Sequence, residues 1–148
     1  GRDVCVMSPD LGGSKRAELF RTMLEEKLGR PVSAAIAEKH RSMGVVSGEM
    51  FAGDVAGRTV IVLDDMISSG TTMARAAKAC KEHGAQDIYL AVTHGLFSVD
   101  GEQNLGGDQI RQILIANTVQ PPRVPYSLTK RVVTVDVAGI FAGAIAAA

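Results

Sequence analysis

Short apolar runs alternate with segments of helical periodicity through most of the 148-residue chain. The runs have no polar face, which is typical of strands covered on both sides in a parallel sheet. Their positions are 3–7, 32–37, 59–63, 87–93, 113–117 and 131–136. Helical spacing is found at 15–28 and at 73–80. The alternation predicts an α/β fold: a three-layer, mostly parallel, twisted sheet with helices on both faces.

Two segments do not fit the alternation. Residues 38–57 are polar and glycine-containing with little helical periodicity, so we expect a mobile loop there. Residues 137–148 are apolar but shorter than the roughly 20 residues that cross a bilayer. We therefore expect them to form a buried helix.

Composition limits the possible partners and compartments. A chain of this length with 46% hydrophobic residues is large enough for one core, which predicts a single domain over 1–148. Sixteen basic residues balance sixteen acidic ones, so we expect neither nucleic acid nor a membrane surface as partner. Cys5 and Cys80 match no disulfide or metal-ligand spacing, which predicts a reducing, cytoplasmic location.

Polar clusters follow four of the predicted strands. Because parallel strands end at the same edge of a sheet, these clusters are expected to form one site. They are Ser8-Pro9-Asp10 with Gly12-Gly13, Lys39-His40-Arg41, Asp64-Asp65 and Thr93-His94. His94 is a possible wall of this site, and His83 is expected to cap a helix end.

The third cluster continues into a loop of small residues. Backbone N–H groups and hydroxyls in a loop that begins a helix can hold a phosphate group. Asp64 and Asp65 repel each other unless they bind something, and a sugar phosphate carries hydroxyls near its phosphate group. We therefore expect the two acids to bind a ribose diol. The predicted phosphate ligands are Ser68, Ser69, Gly70, Thr71 and Thr72.

This pattern of strand, two acids, two apolar residues and Ser/Thr-x-Gly-Thr resembles the phosphoribosyl-pyrophosphate loop of type I phosphoribosyltransferases and ribose-phosphate pyrophosphokinases. Segments 8–16 (SPDLGGSKR), 38–41 (EKHR) and 93–98 (THGLFS) resemble the pyrophosphokinases in particular. Members of that family consist of two stacked domains. The resemblance implies that residues 1–148 are a phosphoribosyltransferase-like domain corresponding to the C-terminal half, incomplete without the N-terminal one.

The resemblance also implies an activity, namely transfer of the diphosphoryl group of ATP to ribose 5-phosphate with Mg²⁺, giving phosphoribosyl pyrophosphate and AMP. Lys39 and Arg41 would stabilise the transition-state charge. Asp10 would be a magnesium ligand in a pyrophosphate loop where Gly12 and Gly13 permit close backbone approach. A homo-oligomer, either a dimer or a ring of dimers, is expected when the N-terminal half is present.

One motif departs from the family pattern. The family usually has Asp-Thr-x-Gly-Thr where this chain has Ser68-Ser69-Gly70-Thr71-Thr72, which looks more like a transferase loop. Two alternatives therefore stay open. One is a type I phosphoribosyltransferase that uses phosphoribosyl pyrophosphate, and the other is a non-catalytic regulatory domain that binds ribose phosphate.

Overall fold

A computed structural model describes residues 2–42, 45–120 and 122–148. For residues 39–49 it describes the backbone of 39–42 and 45–49 but no side chains. The elements follow the predicted alternation closely. They are β1 (Val4–Ser8), α1 (Ser14–Leu28), β2 (Ser33–Ser42), β3 (Val45–Ala52), β4 (Thr59–Ile67), α2 (Thr71–Glu82), β5 (Asp87–Gly95), α3 (Gly101–Leu105), β6 (Ile110–Ala116), β7 (Val132–Val135) and α4 (Ala138–Ala146). A short 3₁₀ helix, Tyr126–Leu128, precedes β7.

The seven strands form one sheet in the order β3-β2-β1-β4-β5-β6-β7. Within the described residues, strands β2 and β3 pair antiparallel, and the other neighbouring strands pair in parallel. The predicted fold class is therefore confirmed. Because β1, β4 and β5 are adjacent and parallel, the segments that follow them leave the sheet at the same edge.

Side chains of β1 alternate between two cores, one on each face of the sheet. Cys5 and Met7 pack into the larger core with Met73 and Cys80 of α2, whereas Val6 packs with Ala17 of α1. The helices therefore cover opposite faces. Burial raises the pKa of the Cys5 thiol to about 11 and that of Cys80 to about 12, so both stay protonated at neutral pH.

The prediction of a mobile loop at 38–57 is wrong, because most of this segment forms a β-hairpin. Strand β2 continues to Ser42, and β3 pairs with it from Val45. Phe51 fixes the end of β3, since its ring stacks on that of His83 at a centroid distance of 3.8 Å. A methyl group at Gly53 would lie 2.6 Å from the carbonyl oxygen of Ala34, so the chain passes close to β2 there. These contacts are tertiary, and local periodicity does not reveal them.

The expected buried helix at 137–148 is present as α4, but it is not buried. No residue of α4 is buried, and Ile140, Phe141 and Ile145 are 72%, 63% and 76% exposed. Apolar composition predicts that a helix is covered without specifying the element that covers it. Among the described helices, none has the length and apolar character needed to cross a membrane.

Candidate functional site

The 68–72 loop begins directly after β4, and its last two residues, Thr71 and Thr72, are the first two of α2. It lines a cavity of about 200 Å³ together with Asp64 and residues 66, 67 and 73. Gly70 has a left-handed backbone (φ 74°) and immediately precedes the first residue of α2, Thr71. The loop and one member of the acid pair therefore share a cavity at the positive end of a helix, where an anion is stabilised.

Asn104 of α3 fixes the shape of this loop, and sequence reasoning missed it. Its side-chain Nδ2 donates to the carbonyl oxygen of Ser69 at 2.7 Å and to Oγ1 of Thr71 at 3.2 Å. The Ser69 and Thr71 hydroxyls are themselves 3.1 Å apart. Asn104 lies in none of the motifs and 35 residues from Ser69, so the sequence carries no signal for this contact.

The segment after β5 supports the loop from behind. The N–H groups of Leu96 and Phe97 both donate to the carbonyl of Ile67, and the N–H of Ser98 donates to that of Ser68 at 3.0 Å. Phe97 has a positive φ of 43°, which is uncommon for a residue other than glycine, and its side chain is buried. Residues 96–98 of the THGLFS motif therefore hold the start of the 68–72 loop in place.

Arg16 contacts both members of the acid pair. It belongs to the SPDLGGSKR motif, but the sequence did not predict this role. Nη1 of Arg16 lies 2.8 Å from Oδ1 of Asp64, and Nη2 lies 3.4 Å from Oδ2 of Asp65. The same Oδ1 accepts the backbone N–H of Asp65. Both acids belong to β4, four and three residues before Ser68, rather than following the strand as predicted. Desolvation raises the pKa of Asp64, and the charge of Asp65 acts in the same direction.

The predicted pyrophosphate loop is a tight turn between β1 and α1. Oδ1 of Asp10 accepts the N–H of Gly13 at 2.9 Å, and the Ser8 hydroxyl donates to the carbonyl of Asp10 at 2.7 Å. A methyl group at Gly13 would lie 2.9 Å from the Ser8 hydroxyl oxygen, and one at Gly12 would lie 3.3 Å from Oδ1 of Asp10. Both glycines are therefore closely packed within the turn itself. Their role in letting the backbone approach a pyrophosphate group stays a prediction.

The residues at this loop fit a magnesium ion only together with a substrate. Among the described residues there is no group of three or more His, Cys, Asp or Glu side chains that could hold a metal. Mg²⁺ is commonly bound by one or two carboxylates, with substrate phosphates and water as the other ligands. Asp10 could supply one carboxylate of such a site, so its role as a magnesium ligand stays a prediction.

Arg75 of α2 connects the two loops. Its Nη2 donates to the carbonyl oxygen of Pro9 at 2.8 Å, across 66 residues of sequence. Pro9 belongs to the turn that contains Asp10, and Arg75 lies on the helix that begins at the phosphate loop. Nothing local in the sequence distinguishes Arg75 from a surface arginine, so its contact could not be predicted.

Lys39 and Arg41, the two predicted catalytic residues, lie outside the described side chains. Their backbone is part of β2, so they do not follow the end of a strand as the sequence suggested. The last residue of β1, Ser8, is level with Ile36. Lys39 is three residues farther along β2, about 10 Å beyond that level. Because Met7 is level with both Ala35 and Val62, Lys39 is level with Met66, near the end of β4.

The two histidines considered in the sequence have hydrogen-bond partners. Nδ1 of His94 lies 2.7 Å from Oγ1 of Thr118, whose hydroxyl donates to the carbonyl of Thr93. Nδ1 of His83 lies 2.8 Å from the carbonyl oxygen of Ala79 at the end of α2, so the expected helix cap is confirmed.

A larger cavity, about 630 Å³, lies between α1 and the β2–β3 hairpin. Its lining is mostly small and apolar, with Lys15 and Glu18 from α1. The Ser8 hydroxyl on its wall donates to the carbonyl of Asp10. The smaller cavity is the better candidate site, because it combines a carboxylate, hydroxyls and a helix N-terminus.

The fold is that of a phosphoribosyltransferase-like α/β domain. An adenine phosphoribosyltransferase structure from Trypanosoma brucei shares the fold, with a TM-score of 0.51 and 19% identity over 91% of this chain and 56% of that one. Residues 16–147 match the family described as phosphoribosyl synthetase-associated domain. The chain belongs to this family, which confirms the family prediction.

Relatives in the family carry a more specific name. The chain is 36% identical over 142 residues to a ribose-phosphate pyrophosphokinase from Pasteurella multocida, covering 95% of this chain and 43% of the relative. The crystal structure of phosphoribosylpyrophosphate synthetase from Mycobacterium smegmatis aligns with a TM-score of 0.78 and 33% identity, over 99% of this chain and 45% of that one. The chain thus spans less than half the length of these two relatives.

Gly70 allows a first prediction about the phosphate loop. A methyl group there would lie 2.6 Å from Cγ of Leu105, whereas at Gly29, also left-handed at φ 64°, it would meet no described atom within 4 Å. Gly29→Ala is expected to lower the free energy of unfolding by about 1 kcal/mol through backbone strain alone. Gly70→Ala is expected to lower it by roughly a further 1–3 kcal/mol through overpacking. Urea unfolding of both variants checks this, and equal losses would contradict it.

Asp64 allows a second prediction, about pH. Its pKa is raised in the folded state, so folding disfavours the charged carboxylate. The free energy of unfolding is therefore expected to fall as pH rises from the ordinary carboxyl pKa through the raised pKa of Asp64. Asp64→Asn is therefore expected to be more stable than wild type at pH 7 and equally stable at pH 3. Urea unfolding of both proteins at the two pH values checks this.

Asp136 provides the matched control for this pH prediction. The backbone N–H of Ala138 and the side chain of Asn117 lower its pKa. Its stabilisation is therefore present above the ordinary carboxyl pKa and lost as pH falls through the lowered one. Asp136→Asn is expected to lose stability at pH 7, and this loss should shrink on acidification. A loss of stability at pH 7 in Asp64→Asn as well would show that the prediction for Asp64 is wrong.

Proposed function

We propose that this chain is the pentose-phosphate-binding domain of a ribose-phosphate pyrophosphokinase, with ribose 5-phosphate and ATP as substrates. The observation that carries the proposal is the cavity shared by Asp64 and the 68–72 loop. A loop for a phosphate group beside carboxylate acceptors for hydroxyls matches the two ends of a pentose phosphate. The 33–36% identity to proteins with this activity in their names supports the same assignment.

In this proposal the 5-phosphate lies in the loop at the start of α2. Backbone N–H groups of the loop and the hydroxyls of Ser69 and Thr71 would donate to its oxygens. The carboxylates of Asp64 and Asp65 would accept hydrogen bonds from the ribose hydroxyls. No cationic side chain is needed at the phosphate, because the N-terminus of α2 is itself partially positive.

The reaction would require positive charge on the transferred group. The anomeric oxygen of ribose 5-phosphate would attack the β-phosphorus of ATP, and the bond between that phosphorus and the oxygen bridging it to the α-phosphorus would break to release AMP. Lys39 and Arg41 would stabilise the charge on the transferred oxygens. Asp10 would bind Mg²⁺ together with the diphosphate, and the ion would neutralise part of its charge. Assembly into a dimer or a ring of dimers stays a prediction from the resemblance.

The binding half of the proposal is tested by titrating the chain with ribose 5-phosphate and with inorganic phosphate. Asp65→Asn is expected to raise the Kd for ribose 5-phosphate by about tenfold, as for the loss of a hydrogen bond to a charged group. The Kd for inorganic phosphate is expected to stay unchanged, because the loop is intact. Asp108→Asn, at an exposed acid outside the site, is the matched control. Absence of affinity for any pentose phosphate would overturn the proposal.

The catalytic half is tested with this chain joined to the remaining part that its relatives have. AMP release from ATP is expected to require both ribose 5-phosphate and Mg²⁺. Lys39→Ala and Arg41→Ala are each expected to slow it at least about 100-fold with little change in unfolding free energy. Consumption of phosphoribosyl pyrophosphate that depends on an added base, without ribose-dependent AMP release, would instead identify a phosphoribosyltransferase.

A further inference from the structure

Asp64 and Asp65 are neighbours in a strand, which makes their convergence unusual. Successive side chains of a strand lie on opposite faces of the sheet. Just before the acids, Val62 packs into the larger core and Leu63 into the smaller one on the other face. By this alternation the two carboxylates would diverge, and a diverging pair could not bind two adjacent hydroxyls of one sugar.

Arg16 brings the two carboxylates to one point. Its Nη1 contacts Oδ1 of Asp64 at 2.8 Å, and its Nη2 contacts Oδ2 of Asp65 at 3.4 Å. The contact with Asp64 is a hydrogen bond, and the contact with Asp65 is an ion pair. Because a guanidinium is a rigid planar fork, its two ends face the two oxygens at a fixed spacing. A lysine ammonium would supply the same charge without fixing that spacing.

The environment of each carboxylate shows which one depends more on this contact. The Asp64 side chain is 18% exposed, and its Oδ1 also accepts the N–H of Asp65. The Asp65 side chain is 51% exposed. Asp64 is therefore fixed by its surroundings as well as by Arg16, whereas the orientation of Asp65 depends more strongly on the guanidinium.

The position of Arg16 in the fold makes it a connection between two motifs. It lies in the first turn of α1, directly after the Asp10–Gly13 turn, and a methyl group at Gly13 would lie 3.7 Å from its Nη1. Its positive charge also reduces the net charge of the acid pair. An anionic sugar phosphate can therefore approach the pair with less repulsion.

We infer that Arg16 is a positioning residue that converges Asp64 and Asp65 on the 2- and 3-hydroxyls of ribose and thereby selects ribose over 2-deoxyribose. The inference rests on the proposed function. Arg16 acts through the two carboxylates, and the phosphate loop holds the 5-phosphate independently of it. Loss of Arg16 should therefore change selectivity between the two sugars more than affinity for phosphate.

The experiment titrates the chain with ribose 5-phosphate, 2-deoxyribose 5-phosphate and inorganic phosphate. In Arg16→Gln, the ratio of the Kd for the deoxy sugar to that for ribose is expected to fall to near one, through a rise of about tenfold in the Kd for ribose 5-phosphate. The Kd for inorganic phosphate is expected to change less than twofold. Arg16→Lys, which keeps the charge but not the fork, is expected to recover only part of the selectivity.

Lys15→Gln is the matched control, because it removes the same charge one residue away and leaves the contacts of Arg16 in place. It is expected to keep the wild-type selectivity. Unchanged selectivity in Arg16→Gln, full recovery in Arg16→Lys, or tighter binding of both sugars in Arg16→Gln would each overturn the inference. The last result would mean that Arg16 competes with the sugar. If wild type binds no pentose phosphate, the proposed function itself fails, and that outcome is separate from these three.

Discussion

The parallel pairing of β4 with β1 on one side and β5 on the other is the constraint on which the site depends. Met7 of β1 is level with Val62, and Asp64 is level with Val92 of β5. These registers place the turn after β1, the end of β4 and the segment after β5 at one edge of the sheet. A shift of one residue in β4 would move each acid to the opposite face and separate it from Arg16. The site is therefore a property of strand register as much as of its motifs.

Much of the fold could be predicted from the sequence, because the pattern of apolar runs and helical stripes is local. The parts that failed depend on distant contacts. Residues 38–57 were predicted to be a loop because their composition is polar. The stacking of Phe51 on His83, which fixes β3, joins residues far apart in the chain. The exposure of α4 likewise could not be read from its own residues, which are apolar throughout. An exposed apolar helix of this kind is typical of an interface.

The same division separates the predicted site residues from those that were missed. The 68–72 loop and the turn at Asp10 are motifs of consecutive residues, so the sequence displays them whole. Arg16 and Asn104 act on residues 48 and 35 positions away, and Arg75 acts across 66. Their partners are set by strand order and helix placement, which composition and spacing do not encode. Residues that hold a site in shape are in this respect harder to predict than residues that form it.

The acid pair shows why a local conflict can mark a functional site. Asp64 is partly desolvated beside a second carboxylate, and its raised pKa records that the folded protein disfavours its charge. One arginine offsets this only partly, since it supplies one positive charge against two negative ones. A sequence selected for stability alone would place a neutral residue at the end of β4. A hydroxyl-bearing ligand that donates to these oxygens would replace the lost water, so the unfavourable charge would become useful when such a ligand is bound.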